Sequence, residues 1–113
     1  MLLADTNIFI DFLRKRHAAE ELAASLERGE ALLHPYVEGE LYLSGINAEV
    51  KQLLNYLPRA VVVEHDTVLQ FIEAYSEKIR GVGYVDVHLL LSATQMGARL
   101  LTRDQGLLRL MEI

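Results

Sequence analysis

Short unbroken apolar runs alternate along this chain with longer stretches of helical periodicity, and that alternation restricts the fold more than any other feature. Residues 1–4 (Met-Leu-Leu-Ala), 31–33, 60–63 and 99–102 read as strands. They are continuous rather than alternating runs, the pattern of strands covered on both faces. Helical patterns fill the intervals, over 7–15, 18–28, 37–45, 48–57, 67–79, 86–97 and 104–110. In the fifth, Val68, Leu69, Ile72, Tyr75 and Ile79 recur at spacings of three and four. Gly29 and Gly97 follow helical runs, where a left-handed terminal residue is favoured. Pro35 and Pro58 stand between patterned segments, where a missing N–H does least harm. Such alternation builds an α/β domain with a mostly parallel central sheet of four to five strands flanked by helices in three layers. Residues 1–113 are expected to form one such domain.

Composition narrows the chemistry. The chain has no cysteine, which excludes disulfides, thiol nucleophiles and cysteine-based metal centres. With 51% hydrophobic and 24% charged residues it is neither disordered nor fibrous. No apolar run approaches the ~18 residues of a membrane span. The first residues lack the basic and apolar regions of a signal peptide. The expectation is a cytoplasmic protein with no membrane partner. A net charge of −5 argues at first against nucleic acid.

The position of the acids changes that conclusion. Ligands of open parallel sheets bind outside the carboxyl ends of the strands. Asp5 follows the first run, and Thr102, Arg103 and Asp104 follow the last; Asp86 opens a helical pattern. Glu40 shares a helical stripe with Val37, Leu41 and Ser44 and is expected to point inward, whereas Glu38 need not. Each aspartate alone is explained as a helix N-cap, a role compatible with facing a cleft. An inward glutamate needs a partner.

Carboxylates gathered within a few ångströms repel, so a pKa must rise unless a cation intervenes. Mg²⁺ takes oxygen ligands, keeps several waters and accepts one or two carboxylates together with substrate phosphate. Such a site suits phosphodiester hydrolysis by an activated water. Of the 16 acidic residues, setting these four aside leaves 12 against 11 basic ones, a nearly neutral remainder. The acidic total then no longer counts strongly against a nucleic-acid substrate.

Four blocks in order resemble the PIN-domain nucleases, and among them the VapC-like ribonuclease toxins of toxin–antitoxin pairs. They are Asp5-Thr6-Asn7-Ile8-Phe9-Ile10-Asp11, Glu40-Leu41-Tyr42-Leu43-Ser44-Gly45, residues 86–93, and Leu101-Thr102-Arg103-Asp104. The resemblance implies a PIN-like fold and a Mg²⁺- or Mn²⁺-dependent endoribonuclease, usually a homodimer. It also implies a cognate VapB-like antitoxin whose C-terminal segment enters the active-site groove. Asp5, Glu40, Asp86 and Asp104 carry over as the acidic constellation. The resemblance implies Asp5 and Asp86 as the direct metal ligands, with Glu40 and Asp104 completing the shell or positioning water. Thr6 and Thr102 are supporting hydroxyls that orient a carboxylate or a water, or make local turn bonds. His88 departs from the small or aliphatic residue usual two positions after the third acid, and 105–108 lacks a common aromatic residue.

Other residues carry weaker signals. Arg103 is a candidate phosphate contact through paired N–H groups. Arg14-Lys15-Arg16-His17 either steers RNA or is a solvated helix end. His17, His34, His65 and His88 lack metal-ligand spacing and read as structural or surface residues. Tyr42 and Tyr56 are expected to pack, or to meet a second subunit. Tyr84 either anchors its loop or stacks on a base. Gly81 and Gly83 do not form a phosphate loop. Two further functions remain open: a receiver-like phospho-signalling domain, and a catalytically idle PIN fold that only binds.

Overall fold

The computed structural model describes residues 1–15 and 19–112. Expectations that fall on Arg16, His17, Ala18 and Ile113 lie outside the described residues. The elements run β1 (Leu2–Ala4), α1 (Thr6–Leu13), α2 (Glu20–Glu27), β2 (Ala31–Leu32), α3 (Pro35–Leu43), α4 (Ala48–Tyr56), α5 (His65–Ala74), α6 (Tyr84–Met96), β3 (Arg99–Leu101) and α7 (Gln105–Leu110). The strands form a parallel sheet of order β2-β1-β3. Leu2 and Leu3 face Ala31 and Leu32 on one side; Leu2, Leu3 and Ala4 face Arg99, Leu100 and Leu101 on the other. All three residues of β1 are buried. Successive strand side chains point to opposite faces, so the sheet is covered on both. Helix α2 packs on β1 and β2, α6 on β3, and α1 on α2 and α3.

The sheet has three strands among the described residues, not four to five. The segment 60–63, expected to be a strand, meets the edge only through a bridge between Leu33 and Arg59. There the Leu33 N–H donates to the Pro58 carbonyl at 2.9 Å and the Ala60 N–H to the Leu33 carbonyl at 3.0 Å. Pairing then stops because α6 takes the next backbone groups. The Val61 N–H turns to Met96 Sδ at 3.4 Å, and its carbonyl accepts the Ser92 hydroxyl at 2.6 Å. Val61 and Val62 are left exposed.

Helices α3, α5 and α6 each start two residues earlier than their apolar periodicity predicts. Pro35 is the first residue of α3, where its missing N–H leaves nothing unpaired. Helix α6 opens at Tyr84 after Gly83, so Asp86 lies inside the first turn rather than at the cap. Helix α5 ends at Ala74, five residues before Ile79, yet Ile79 still joins the core. Gly29 and Gly97 close their helices with φ of 68° and 64°.

A buried polar chain ties three segments together. The Tyr36 N–H donates to His34 Nδ1 at 3.0 Å, which makes the imidazole the N-cap of α3. That bond requires a lone pair on Nδ1, so the proton sits on Nε2, which reaches Ser92 Oγ at 3.1 Å. The Ser92 hydroxyl in turn donates to the Val61 carbonyl. Burial, followed by the neighbouring His88, lowers the His34 pKa to about 4. Folding thus selects the neutral ring, and its stabilisation is complete above the unfolded value of 6.5 and is lost as pH falls towards 4. The stability advantage of the wild type over His34→Gln is therefore largest at neutral pH and narrows between pH 6.5 and about 4, as urea titrations across that range will show.

Candidate active site

The strand order decides which side chains meet. Because β1 lies between β2 and β3, the residues that leave its carboxyl end are flanked by those that leave both neighbours. The Asp5 N–H continues the ladder to the Leu101 carbonyl at 3.1 Å, which fixes Asp5 at the strand end. Its side chain is buried and divided between two tasks. Oδ1 accepts the Ile8 N–H at 3.1 Å and caps α1; Oδ2 accepts the Thr102 hydroxyl. Thr102 is buried too, and its oxygen accepts the Asp104 N–H at 3.1 Å. Asp104 repeats the pattern at α7, where Oδ1 accepts the Leu107 N–H at 2.8 Å while the residue stays exposed.

Glu40 comes from the other neighbour. It is exposed rather than inward: Val37 and Leu41 fill the buried stripe of α3, and Glu40 sits on its flank. The Thr6 hydroxyl donates to Glu40 Oε1 at 2.6 Å, which joins the starts of α1 and α3. Glu38 is the more covered of the two, held by Arg59 through Nε at 3.1 Å and Nη2 at 2.7 Å. Arg59 also donates to the Leu54 and Leu57 carbonyls at the end of α4. Asp86 approaches from α6. The loop before it touches α7, since a methyl group built on Gly106 would lie 3.3 Å from Asp104 Oδ1 and 3.5 Å from Val82.

The structure thus gathers Asp5, Glu40, Asp86 and Asp104 at one edge of the sheet, with Thr6 and Thr102 bonded to two of them. Asp86 has no hydrogen-bond donor among the described residues. Burial pushes its carboxyl up to about 6, and the like charges of Asp104, Asp5 and Glu40 push the same way. No three acidic or histidine side chains among the described residues close around one point as metal ligands. The donor set fits a hard divalent ion that holds one or two carboxylates and keeps its remaining waters, as Mg²⁺ does.

A cleft of about 420 Å³ opens beside these acids, lined by Asp5, Asn7, Ile10, Asp11, Arg14, Arg103 and Asp104. Arg103 pairs with Asp11, whose side chain is buried, while its own is 54% exposed. Sequence reasoning gave Asp11 no role. The rule applied to Glu40, that a carboxylate on an apolar helix face needs a partner, would have found it. Of the basic run, Arg14 lines the cleft and Lys15 turns the chain with φ of 57°; Arg16 and His17 lie outside the described residues. Tyr42 lies beneath Lys51 Nζ at 5.6 Å and Tyr56 is 79% exposed, so neither packs in the core.

The raised carboxyl sets a pH signature. In the metal-free protein Asp86 favours folding when protonated, and this contribution is lost as pH rises from 3.8 through about 6. Asp86→Asn should therefore raise the Tm of the metal-free protein at pH 7.5, with the gain shrinking through about pH 6 and gone below about pH 4, measured by thermal unfolding in EDTA.

Residues 2–112 match the model of the PIN domain family. The chain is 41% identical over 110 residues to a protein named Ribonuclease VapC32 from Mycobacterium tuberculosis, in each of two strains. That match covers 95% of this chain and 87% of the relative. The family match displaces the receiver-like alternative. This chain belongs to the PIN domain family, among its VapC-like members.

Proposed function

We propose that this protein is a Mg²⁺- or Mn²⁺-dependent endoribonuclease, the toxin of a toxin–antitoxin pair. It acts in the cytoplasm as a homodimer and is held in check by a VapB-like antitoxin. One observation carries the reading: four carboxylates converge on the carboxyl edge of a parallel sheet, in a chain whose relative is named a ribonuclease. No helix among the described residues is long and apolar enough to cross a membrane. Exposed Leu43 and Tyr56 offer apolar surface to a second copy.

Each side chain has a task in this reading. Asp5 and Asp86 would hold the ion, and Glu40 and Asp104 would complete its shell or orient a water. When bound, the ion lowers the pKa of that water and offsets charge on the phosphate oxygens. Thr102 fixes the Asp5 carboxylate from one side as the Ile8 N–H fixes it from the other, and Thr6 fixes Glu40. Arg103 keeps half its side chain in solvent despite Asp11 and supplies N–H groups to a substrate phosphate.

Purified protein should cut RNA from a mixed tRNA and rRNA panel into discrete fragments with Mg²⁺ or Mn²⁺ and not with EDTA. Asp86→Asn and Glu40→Gln should abolish cleavage without unfolding the protein. A folded Asp86→Asn protein that cuts at the wild-type rate overturns the reading. Thr6→Val and Thr102→Val should each lower activity or metal affinity by about 10- to 100-fold, because they release carboxylates without removing them. Mn²⁺ should raise the Tm of the wild type by more than that of Asp86→Asn. Equal shifts would favour an idle binding module.

A further inference from the structure

Beside the acids lies an aromatic cluster that the proposed chemistry does not use. Tyr36 stands four residues before Glu40 on α3, and positions so spaced share a helix face. Tyr84 opens α6, the helix that carries Asp86. Both rings reach solvent, Tyr36 at 37% and Tyr84 at 43% exposure. Between them sits His88, 1% exposed, with ring centroids 4.8 Å from Tyr36 and 4.7 Å from Tyr84 at interplanar angles of 71° and 75°. Neither His88 nitrogen has a hydrogen-bond partner among the described residues. Leaving both unpaired in a buried site is unfavourable, and edge-to-face contact with two phenols recovers only part of that. What the imidazole does supply is a wedge that stops either phenol from folding inward. His65 Nδ1, from α5, meets the Tyr84 hydroxyl at 2.9 Å and fixes that ring from a third helix.

Resting on the nuclease reading above, we propose that Tyr36 and Tyr84 form a stacking platform for a nucleobase of the RNA next to the scissile phosphate, with His65 and His88 as positioning residues. The acids along this edge repel the RNA backbone wherever no cation offsets them, so an uncharged source of affinity adds to what the metal and Arg103 supply. Unpaired bases supply it by stacking on aromatic side chains, with little dependence on sequence. The ring contacts that build the cluster join Tyr36, His88, Tyr84 and His65, flat faces that suit a base rather than a phosphate. Both rings ride on helices that carry a catalytic acid, so a base seated on them is held in register with the cut.

The test uses the full chain and a pool of short single-stranded RNAs of random sequence. From this pool one cleaved oligonucleotide is remade with an abasic nucleotide on either side of the cut. Tyr36→Ala and Tyr84→Ala should each raise KM about tenfold with little change in kcat; Tyr36→Phe stays within about twofold, and Tyr84→Phe, which keeps the ring but loses its bond to His65, falls between wild type and Tyr84→Ala. The abasic RNA should bind the Asp86→Asn protein about tenfold more weakly than the intact RNA, and it should be insensitive to the alanine substitutions. Unchanged KM in both alanine variants overturns the platform alone, because wild-type cleavage of the same RNA leaves the nuclease reading standing. So does equal damage from phenylalanine and alanine, or equal weakening of intact and abasic RNA. Alanine variants that keep KM but change oligomeric state by size exclusion would assign the rings to a protein interface instead, against the proposal. Failure of the wild type with Mn²⁺ to cut any RNA in the pool removes the nuclease reading and the platform with it.

Discussion

The hydrogen bond from the Thr102 hydroxyl to the Asp5 carboxylate is the junction on which this edge of the molecule depends. It joins the carboxyl ends of β1 and β3, two strands nearly a hundred residues apart in sequence, and it does so through a side chain that also starts a helix. Asp5 is buried, and an unpaired buried carboxylate would be strongly unfavourable. Its two oxygens are satisfied from two elements, so the strand end, the α1 start and the β3–α7 turn must take up one arrangement together. Asp104 then stands at a set position, because Thr102 accepts its N–H while its own carboxylate caps α7. Capping and site-building are here the same hydrogen bonds.

Asp86 is the member for which no such satisfaction is provided. It lies in the first turn of α6, where the helix dipole favours a carboxylate by about 0.3–1 kcal/mol. Its pKa nevertheless rises to about 6, so burial and three like charges outweigh the dipole. A fold built only for stability would place an amide there. Retained repulsion of this kind favours whatever brings positive charge to the edge.

Much of this organisation is legible in the sequence, and the misses have physical causes. The strands at 2–4 and 31–32 stand out because they are apolar on both faces, which only a covered sheet tolerates, whereas 99–101 opens on an exposed Arg99 and is marked by Leu100 and Leu101. The run at 60–63 has the same composition but fails as a strand, because Ser92 and Met96, some thirty residues away, claim the Val61 backbone. Local composition carries no trace of that competition. The orientation of Glu40 was misjudged because helical spacing gives a stripe about a third of the circumference wide, and its flank is not its centre. The early start of α6 hides in the same way: Tyr84 and Val85 precede the periodic run, and only the break at Gly83 marks the true beginning.

The buried chain of His34, Ser92 and Val61 has a consequence for the site as well as for stability. Helix α3 carries Tyr36 and Glu40; helix α6 carries Asp86, Tyr84 and His88, and Ser92 lies on α6 farther from the site. The contact between His34 Nε2 and Ser92 Oγ is the direct polar link between these helices among the described residues. Sliding α6 along α3 would break it and strand the buried His34 Nε2–H, a penalty of about 1–3 kcal/mol. The separation of Glu40 from Asp86 is therefore set by a bond that touches neither of them, while the same His34 ring meets Tyr36 directly. An acidic edge assembled from four elements cannot hold its geometry through the acids themselves, because they repel. It must be held from behind, by neutral hydrogen-bonded groups in the core, and the neutral state that burial imposes on His34 is what lets this ring do so.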